Sequence, residues 1–354
     1  MEKIFQISNE YNKEKVVITT DDNMELLMGQ ILLNRIAGIA YEKIDLETLH
    51  YEARKVLKFH IENNILIFNR FINNLSYLSP ILQNADFPYA LLKGAFLTLF
   101  LYPKGHRTSN DIDVLISNEN VSTLQSLLLQ NGFTQGHVSK SSGEVVPASR
   151  KEIIESKMNY GETVPFIKLM EGYPLEVDIN FSLDYKPSKE KNIISEMLSK
   201  AIFVEKDGIC FKTLNHKDFL IHLCCHLYKE ATTYDWIKWR NDLMLYKFSD
   251  INVFLHEYGC EKFFLELDNR IKHFALEKEC YYTFEISSTI YPDLNDVNGF
   301  ARLKESIKPN DLQFMTQVIY PMEKKRFQYS MKFIDWFLCP NRIMELEEIP
   351  YEEN

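Results

Sequence analysis

A chain of 354 residues has room for two or three domains, and an apolar content of 45% is ordinary for a protein with a packed core. The net charge of −10 excludes a broad nucleic-acid footprint, which needs clustered Lys and Arg, although a small basic groove stays open. Six cysteines without a Cys-x-x-Cys pair, no signal-peptide core after Met1, and apolar stretches broken by charge together predict a cytoplasmic protein with reduced thiols and no membrane partner.

Residues 22–85 carry helical periodicity. Asp22 and Asn23 can cap a helix that includes Leu26, Leu27, Ile31, Leu32 and Ile36. Val56, Leu57, His60, Ile61, Ile65, Phe68, Ile72 and Leu75 predict a second helix over about 46–78. Neither gathers acids, histidines or glycines, so 1–85 reads as an N-terminal helical packing region. Phe87-Pro88 ends it, because proline has no backbone donor. A buried strand is expected over 89–93, a short helix over 95–101 stopped before Pro103, a polar loop over 104–110, and a strand over 111–116. An amphipathic helix over 121–130 ends at Asn131-Gly132. The polar, Ser-rich stretch 136–151 reads as a loop. Strands over 163–169 and 175–181 form an antiparallel hairpin, and Pro165 marks the first as an edge strand.

A small hairpin turns at Asp207-Gly208, and Asn215 caps a helix over 217–230. Further helical patterns run over 235–248, 250–258, 260–277, 310–319 and 324–338, and the acidic stretch 345–354 reads as a solvated end. The fold expected is α+β: a small mixed sheet core over 86–200, flanked by helical regions over 1–85 and 201–354.

The chemistry centres on Asp111 and Asp113. One residue apart on a strand, they face the same way. Each raises the other's pKa, which a fold tolerates best with a cation between them. One or two carboxylates plus phosphate oxygens are what Mg²⁺ takes, so chemistry on a nucleoside triphosphate is the first hypothesis. Upstream, Gly94 sits where strand passes to helix and would let a phosphate approach the backbone, although a glycine there also serves a tight turn. Arg107 could clamp a phosphate or pair with Asp111, and Lys93 and His106 are further cationic candidates.

Glu176, Asp178 and Asn180 share one face of the 175–181 strand. An exposed edge would alternate in the same way, but beside an Asp-x-Asp strand a third carboxylate is what a two-metal site needs. In that arrangement Asp111 and Asp113 hold Mg²⁺ against the triphosphate. The third acid, Glu176 or Asp178, helps hold a second metal and orients the incoming hydroxyl. Attack at the α-phosphate then releases pyrophosphate. His222 and His226 share a helix face, but no glutamate follows His222 as in a HExxH zinc site, so core packing is preferred. Trp236 and Trp239 could stack on a base or simply pack, and Asp242 is an isolated buried-acid candidate.

The run Leu92-Lys93-Gly94-Ala95, Leu101-Tyr102-Pro103, Arg107 and Asn110-Asp111-Ile112-Asp113-Val114-Leu115-Ile116 resembles the uncharacterised nucleotidyltransferase family of the DNA polymerase β-like superfamily. Leu175-Glu176-Val177-Asp178 resembles the family's later acidic strand, with Asp178 where histidine is usual. His226 and Trp239-Arg240-Asn241-Asp242 resemble its helical half, which makes His226 and Asp242 acceptor-side candidates. The resemblance covers roughly 85–250. It implies Mg²⁺-dependent transfer of a nucleotide from an NTP, with ATP expected, to a small molecule, a peptide or a protein. Ala95 departs from the Gly or Ser of the wider superfamily, which removes a hydroxyl contact to phosphate and leaves backbone N–H groups to serve. Two other functions compete: a nucleotide-binding or antitoxin-like module without chemistry, and kinase-like transfer of the γ-phosphate.

Overall fold

The computed structural model describes residues 3–160, 162–183 and 192–351. The chain divides into two compact units. One comprises Ala37–Glu42 and Leu49–Phe219; the other comprises the segments up to Ile36, Lys43–Thr48 and from Leu220 onward.

The first unit is built on an eight-stranded sheet: β1 (Tyr89–Leu91), β2 (Asp111–Ile116), β3 (Thr134–Val138), β4 (Val145–Pro147), β5 (Phe166–Leu169), β6 (Pro174–Asn180), β7 (Ile202–Lys206) and β8 (Ile209–Thr213). Their order is β4-β3-β5-β6-β2-β1-β8-β7. The β2–β6 and β1–β8 pairs are parallel and the other neighbours antiparallel, giving the mixed sheet of an α+β fold. Ile112, Val114, Ile116, Leu175, Val177 and Ile179 turn to one face. They form a core with Phe71, Leu75, Leu78 and Leu82 of the helix Tyr51–Gln83 and with Val121, Leu124 and Leu128 of the helix Val121–Gln130. Each of these thirteen side chains is at most 2% exposed, and burial contributes about 1.5–3 kcal/mol apiece as an upper bound.

Several elements differ from the sequence expectation. The 136–151 stretch is not a loop: β3 and β4 pair antiparallel within it. Gly136 permits the close approach, since a Cβ there would meet the Val146 carbonyl at 2.0 Å, and Gly143 (φ +73°) lies in the turn. The helix Arg150–Tyr160 follows, unannounced by the polar sequence. β5 is interior rather than an edge strand. Pro165 precedes it and accepts a bond from Gly136 N through its carbonyl, so the missing donor costs the ladder nothing. The β7–β8 hairpin turns at Asp207 (φ 52°) and Gly208 (φ 76°) as expected. It joins the main sheet, where Thr213 Oγ1 donates to Leu91 O at 2.7 Å, so the sheet extends beyond residue 200.

Asn23 caps the helix Met24–Leu33 by accepting from Leu26 N at 2.8 Å, yet Leu26 and Leu32 are exposed and Ile31 alone in that helix is buried. Asn215 Oδ1 accepts from Lys217 N and Asp218 N at the head of the helix His216–Ala231. In the second unit the expected 235–248 helix is broken into Tyr234–Lys238 and the start of Leu245–Tyr258, with Arg240 left-handed between them (φ 57°). Helices Glu261–Phe274 and Glu277–Ile290 follow. The 310–338 region is only partly helical. It supplies β9 (Gln317–Tyr320) and β10 (Lys325–Gln328) of a second sheet before the helix Phe333–Leu338. The acidic stretch contains β11 (Glu347–Ile349), antiparallel to β10; its last three residues lie outside the described ones.

Candidate active site

β2 and β6 run parallel with Asp111 opposite Glu176 and Asp113 opposite Asp178. In-register residues of a parallel pair project to the same side. Neighbouring strands lie about 4.7–4.9 Å apart, with alternate residues about 6.6 Å apart along each. The four carboxylates therefore form a compact quadrilateral on the face opposite the core of Ile112, Val114, Val177 and Ile179. Next along the same face comes Asn180, whose Nδ2 donates to Asp113 Oδ1 at 3.2 Å.

On the other side of β2, β1 leads into Lys93-Gly94-Ala95. Leu92 N donates to Asp113 O at 3.0 Å, tying this corner to the acidic strand. Lys93 has φ 37° and ψ −107° and extends its ammonium to Asp113 Oδ1 at 2.8 Å. Gly94 opens the seven-residue helix Gly94–Phe100. A Cβ at Gly94 would stand 2.1 Å from Ser109 Oγ and 2.6 Å from Ser109 Cβ. Glycine is required there because the loop before β2 lies against it. Ala95 N donates to Leu92 O at 3.1 Å, so the backbone group expected to serve phosphate at Ala95 is engaged by the turn itself.

Arg107 is buried, and its Nη1 donates to Thr98 Oγ1 at 3.0 Å, which fastens the loop to that short helix. Its charge also acts on Asp111. Ser109 Oγ, the neighbour of Gly94, lies 3.3 Å from both Asp111 O and Asp111 Oδ1. The loop carrying Arg107 and Ser109 is positioned from outside as well: Asn64 Nδ2 donates to Gly105 O at 3.0 Å, and Gly38 packs so closely on Gly105 that a Cβ would meet its carbonyl at 2.1 Å.

Electrostatics follow from this crowding. Burial first, then the charge of Asp113, pushes the Asp111 carboxyl up, against the pull of Lys93 and Arg107. Burial and Asp111 raise Glu176. Burial, then Asp111, Asp113, Glu176 and Glu162, lift Asp178 well above the usual carboxylate range. Asp178 Oδ1 is buried and, among the described residues, has no hydrogen-bond partner. Such an acceptor is costly unless a proton or cation supplies what is missing. Among the described residues no three Asp, Glu, His or Cys side chains close around one point as a finished metal cage. The donor set nevertheless suits a hard divalent cation: carboxylate oxygens, mutually repelling, with one of them buried and lacking a partner among the described residues.

The remaining candidates lie in the other unit. His226 Nε2 approaches Glu230 Oε2 at 3.1 Å, and that carboxylate also receives Lys247 Nζ at 2.6 Å and Trp236 Nε1 at 2.8 Å on its other oxygen. His222 and His226 stack at 6.3 Å. Asp242 is buried in an ion pair with Arg342, whose Nε also donates to Trp336 O at 2.8 Å. This gives Asp242 an internal anchoring role. Trp239 is exposed.

Two residues at the acidic face lay outside the sequence-derived site: Asn180 and Ser109. Asn180 was visible in the alternation of β6. Ser109 carries no pattern of its own, because its contacts come from loop closure.

A family model described as an uncharacterised nucleotidyltransferase matches residues 21–292. No curated protein matches the chain.

Proposed function

The chain belongs to this uncharacterised nucleotidyltransferase family, and from that premise we propose that it transfers the nucleotide of an NTP, ATP in the first instance, to a hydroxyl of a small molecule, peptide or protein and releases pyrophosphate. The observation that carries this reading is the parallel register of β2 and β6, which sets Asp111 beside Glu176 and Asp113 beside Asp178.

Asp111, Asp113 and one of Glu176 or Asp178 would hold Mg²⁺, which when bound offsets the charge of the triphosphate and polarises its oxygens. The half-buried, proton-avid carboxylates of β6 are suited to take the proton of the incoming hydroxyl. The acceptor oxygen then bonds to the α-phosphorus as the bond to the bridging oxygen breaks. Lys93 and Arg107 supply positive charge on the phosphate side. The net charge of −10 disfavours a nucleic-acid acceptor.

The test incubates the protein with α-labelled ATP and Mg²⁺, beside candidate hydroxyl acceptors and the protein itself. Pyrophosphate and a labelled acceptor are expected. ADP in place of pyrophosphate would mean γ-phosphate transfer, and nucleotide binding without product would mean a binding module. If no NTP binds in the presence of metal, and Asp111→Ala with Asp113→Ala changes neither binding nor turnover, the reading fails.

A further inference from the structure

Arg240 stands in the break between the helices Tyr234–Lys238 and Leu245–Tyr258, on a left-handed backbone (φ 57°) that non-glycine residues seldom adopt. The turn is fixed from several directions. Arg240 N donates to Ile237 O at 3.1 Å and Asn241 N to Trp236 O at 2.9 Å. Lys247 Nζ donates to Asn241 O and, at 2.9 Å, to Asp242 O. The Asp242 carboxylate is taken by Arg342, whose other nitrogens donate to Trp336 O and Phe337 O. Arg240 has no such provision. Its side chain is half-buried, and its Nη1 is buried without a hydrogen-bond partner among the described residues. Burial first, then the charge of Arg342, pulls the Arg240 guanidinium below its ordinary pKa, against the opposing charges of Asp242 and Cys339. Two guanidiniums therefore share Asp242, and one of them is already bonded to it.

We propose that Arg240 anchors an oxyanion site in the second unit, which takes a phosphate or carboxylate group of a ligand without the help of a divalent metal. The reasoning is one of charge and donors. A buried charge is costly unless it is paired, and a guanidinium carries five N–H donors in a planar fork that fits these two groups. Asp242 does not complete the fork, because Arg342 holds it. The local balance is positive on a chain whose net charge is −10. Arg35 adds to it: its Nη2 donates to Asn241 Oδ1 at 3.5 Å, which puts an exposed guanidinium beside the residue that follows Arg240. Trp239, the residue before, is 59% exposed and offers an apolar surface for the body of the ligand.

The test titrates the full chain with inorganic phosphate and with acetate by isothermal calorimetry, at constant ionic strength and in EDTA. EDTA silences metal-dependent nucleotide binding, so the outcome is independent of the nucleotidyl-transfer reading. Wild type, Arg240→Met and Arg240→Lys are compared; all three are L-residues and place the same demand on the left-handed backbone. Wild type should bind one of the two anions saturably, and the preferred one assigns the ligand's group as phosphate or carboxylate. Arg240→Met should weaken that binding by roughly 10- to 100-fold. Arg240→Lys, which keeps the charge and loses the fork, should fall between the two. Without ligand, Arg240→Met should melt no lower than wild type, since an arginine that answers no internal anion is not needed for the fold. The preferred anion should raise the Tm of wild type and leave that of Arg240→Met unchanged. If Arg240→Met lacks a cooperative melting transition, Arg240→Gln gives the same comparison. No saturable binding of either anion by wild type overturns the proposal, and so does equal binding by wild type and Arg240→Met. A lower Tm for ligand-free Arg240→Met with unchanged anion affinity overturns it as well and makes Arg240 a packing residue.

Discussion

Gly94→Ala separates two reasons for a glycine at the start of the Gly94–Phe100 helix. The added methyl would lie 2.1 Å from Ser109 Oγ and 2.6 Å from Ser109 Cβ, with Arg107 Nη1 at 3.4 Å. A hydroxyl can rotate away; a Cβ cannot, so the loop before β2 must shift. Overpacking of this kind costs about 1–3 kcal/mol. For a unit of this size that corresponds to a fall in Tm of roughly 2–12 °C. Ser109→Gly removes the obstructing atoms, so the double variant should recover most of what Gly94→Ala loses beyond the effect of Ser109→Gly alone. Differential scanning calorimetry of the four proteins closes the cycle, and titration with an ATP analogue runs beside it. Recovered Tm with nucleotide affinity still lost would assign Gly94 a second task, close approach of phosphate. A Gly94→Ala protein that melts like wild type, or a cycle without coupling, refutes the steric account.

Three further perturbations have signed outcomes. Asp178 has a folded-state pKa above its unfolded value, so the native state binds more protons between the two. Its contribution to stability must therefore fall as pH rises through that window. The Tm of wild type relative to Asp178→Asn should drop from pH 4 to pH 8 in EDTA, and excess Mg²⁺ should reduce the drop; a difference independent of pH contradicts the assignment. Asn180→Asp places another carboxylate next to Asp113 and removes a donor bonded to it, so it should destabilise by about 1.5–3 kcal/mol at pH 8 and less at pH 5, read by urea denaturation. Arg342→Met leaves Asp242 buried and unpaired, at a cost of about 3–5 kcal/mol, and Arg342→Met/Asp242→Leu should regain much of it. Should Asp242→Asn instead abolish turnover without lowering Tm, Asp242 acts on the acceptor side after all.

The bounds of β2 and of the helix Val121–Gln130 were legible because each has a clear apolar pattern and a clear stop: an Asp-x-Asp start running into apolar Val114-Leu115-Ile116 before Ser117, and period 3.6 ending at Asn131-Gly132. The shared face of Glu176, Asp178 and Asn180 was legible for the same reason. Local patterns do not encode which strands become neighbours. The β3–β4 hairpin has polar residues on both faces and so resembles a loop. The short strands β9 to β11 are only three or four residues each and give periodicity too little length to register. Pro165 was misleading because its carbonyl, not its missing N–H, faces β3. The Lys93–Asp113 pair depends on a lysine with positive φ, and nothing in a single sequence announces one.

The acidic quadrilateral and the core beneath it are determined together. β2 is flanked by β6 on one side and β1 on the other, so two carboxylates arrive from one neighbour and the cation of Lys93 from the corner after the other. A one-residue slip of β6 would turn Glu176 and Asp178 into the layer occupied by Ile112, Val114 and Leu75, and turn Leu175, Val177 and Ile179 out of it. Each misplaced apolar side chain forfeits about 1.5–3 kcal/mol. The two carboxylates would enter an apolar layer without partners, which costs more still. The packing that excludes such a slip therefore also turns the acids to the opposite face, and the repulsion among them is tolerated because turning them into the core is worse. Lys93 is bonded to one of the four carboxylates, and the repulsion that persists among them is what a divalent cation arriving with a nucleotide would offset.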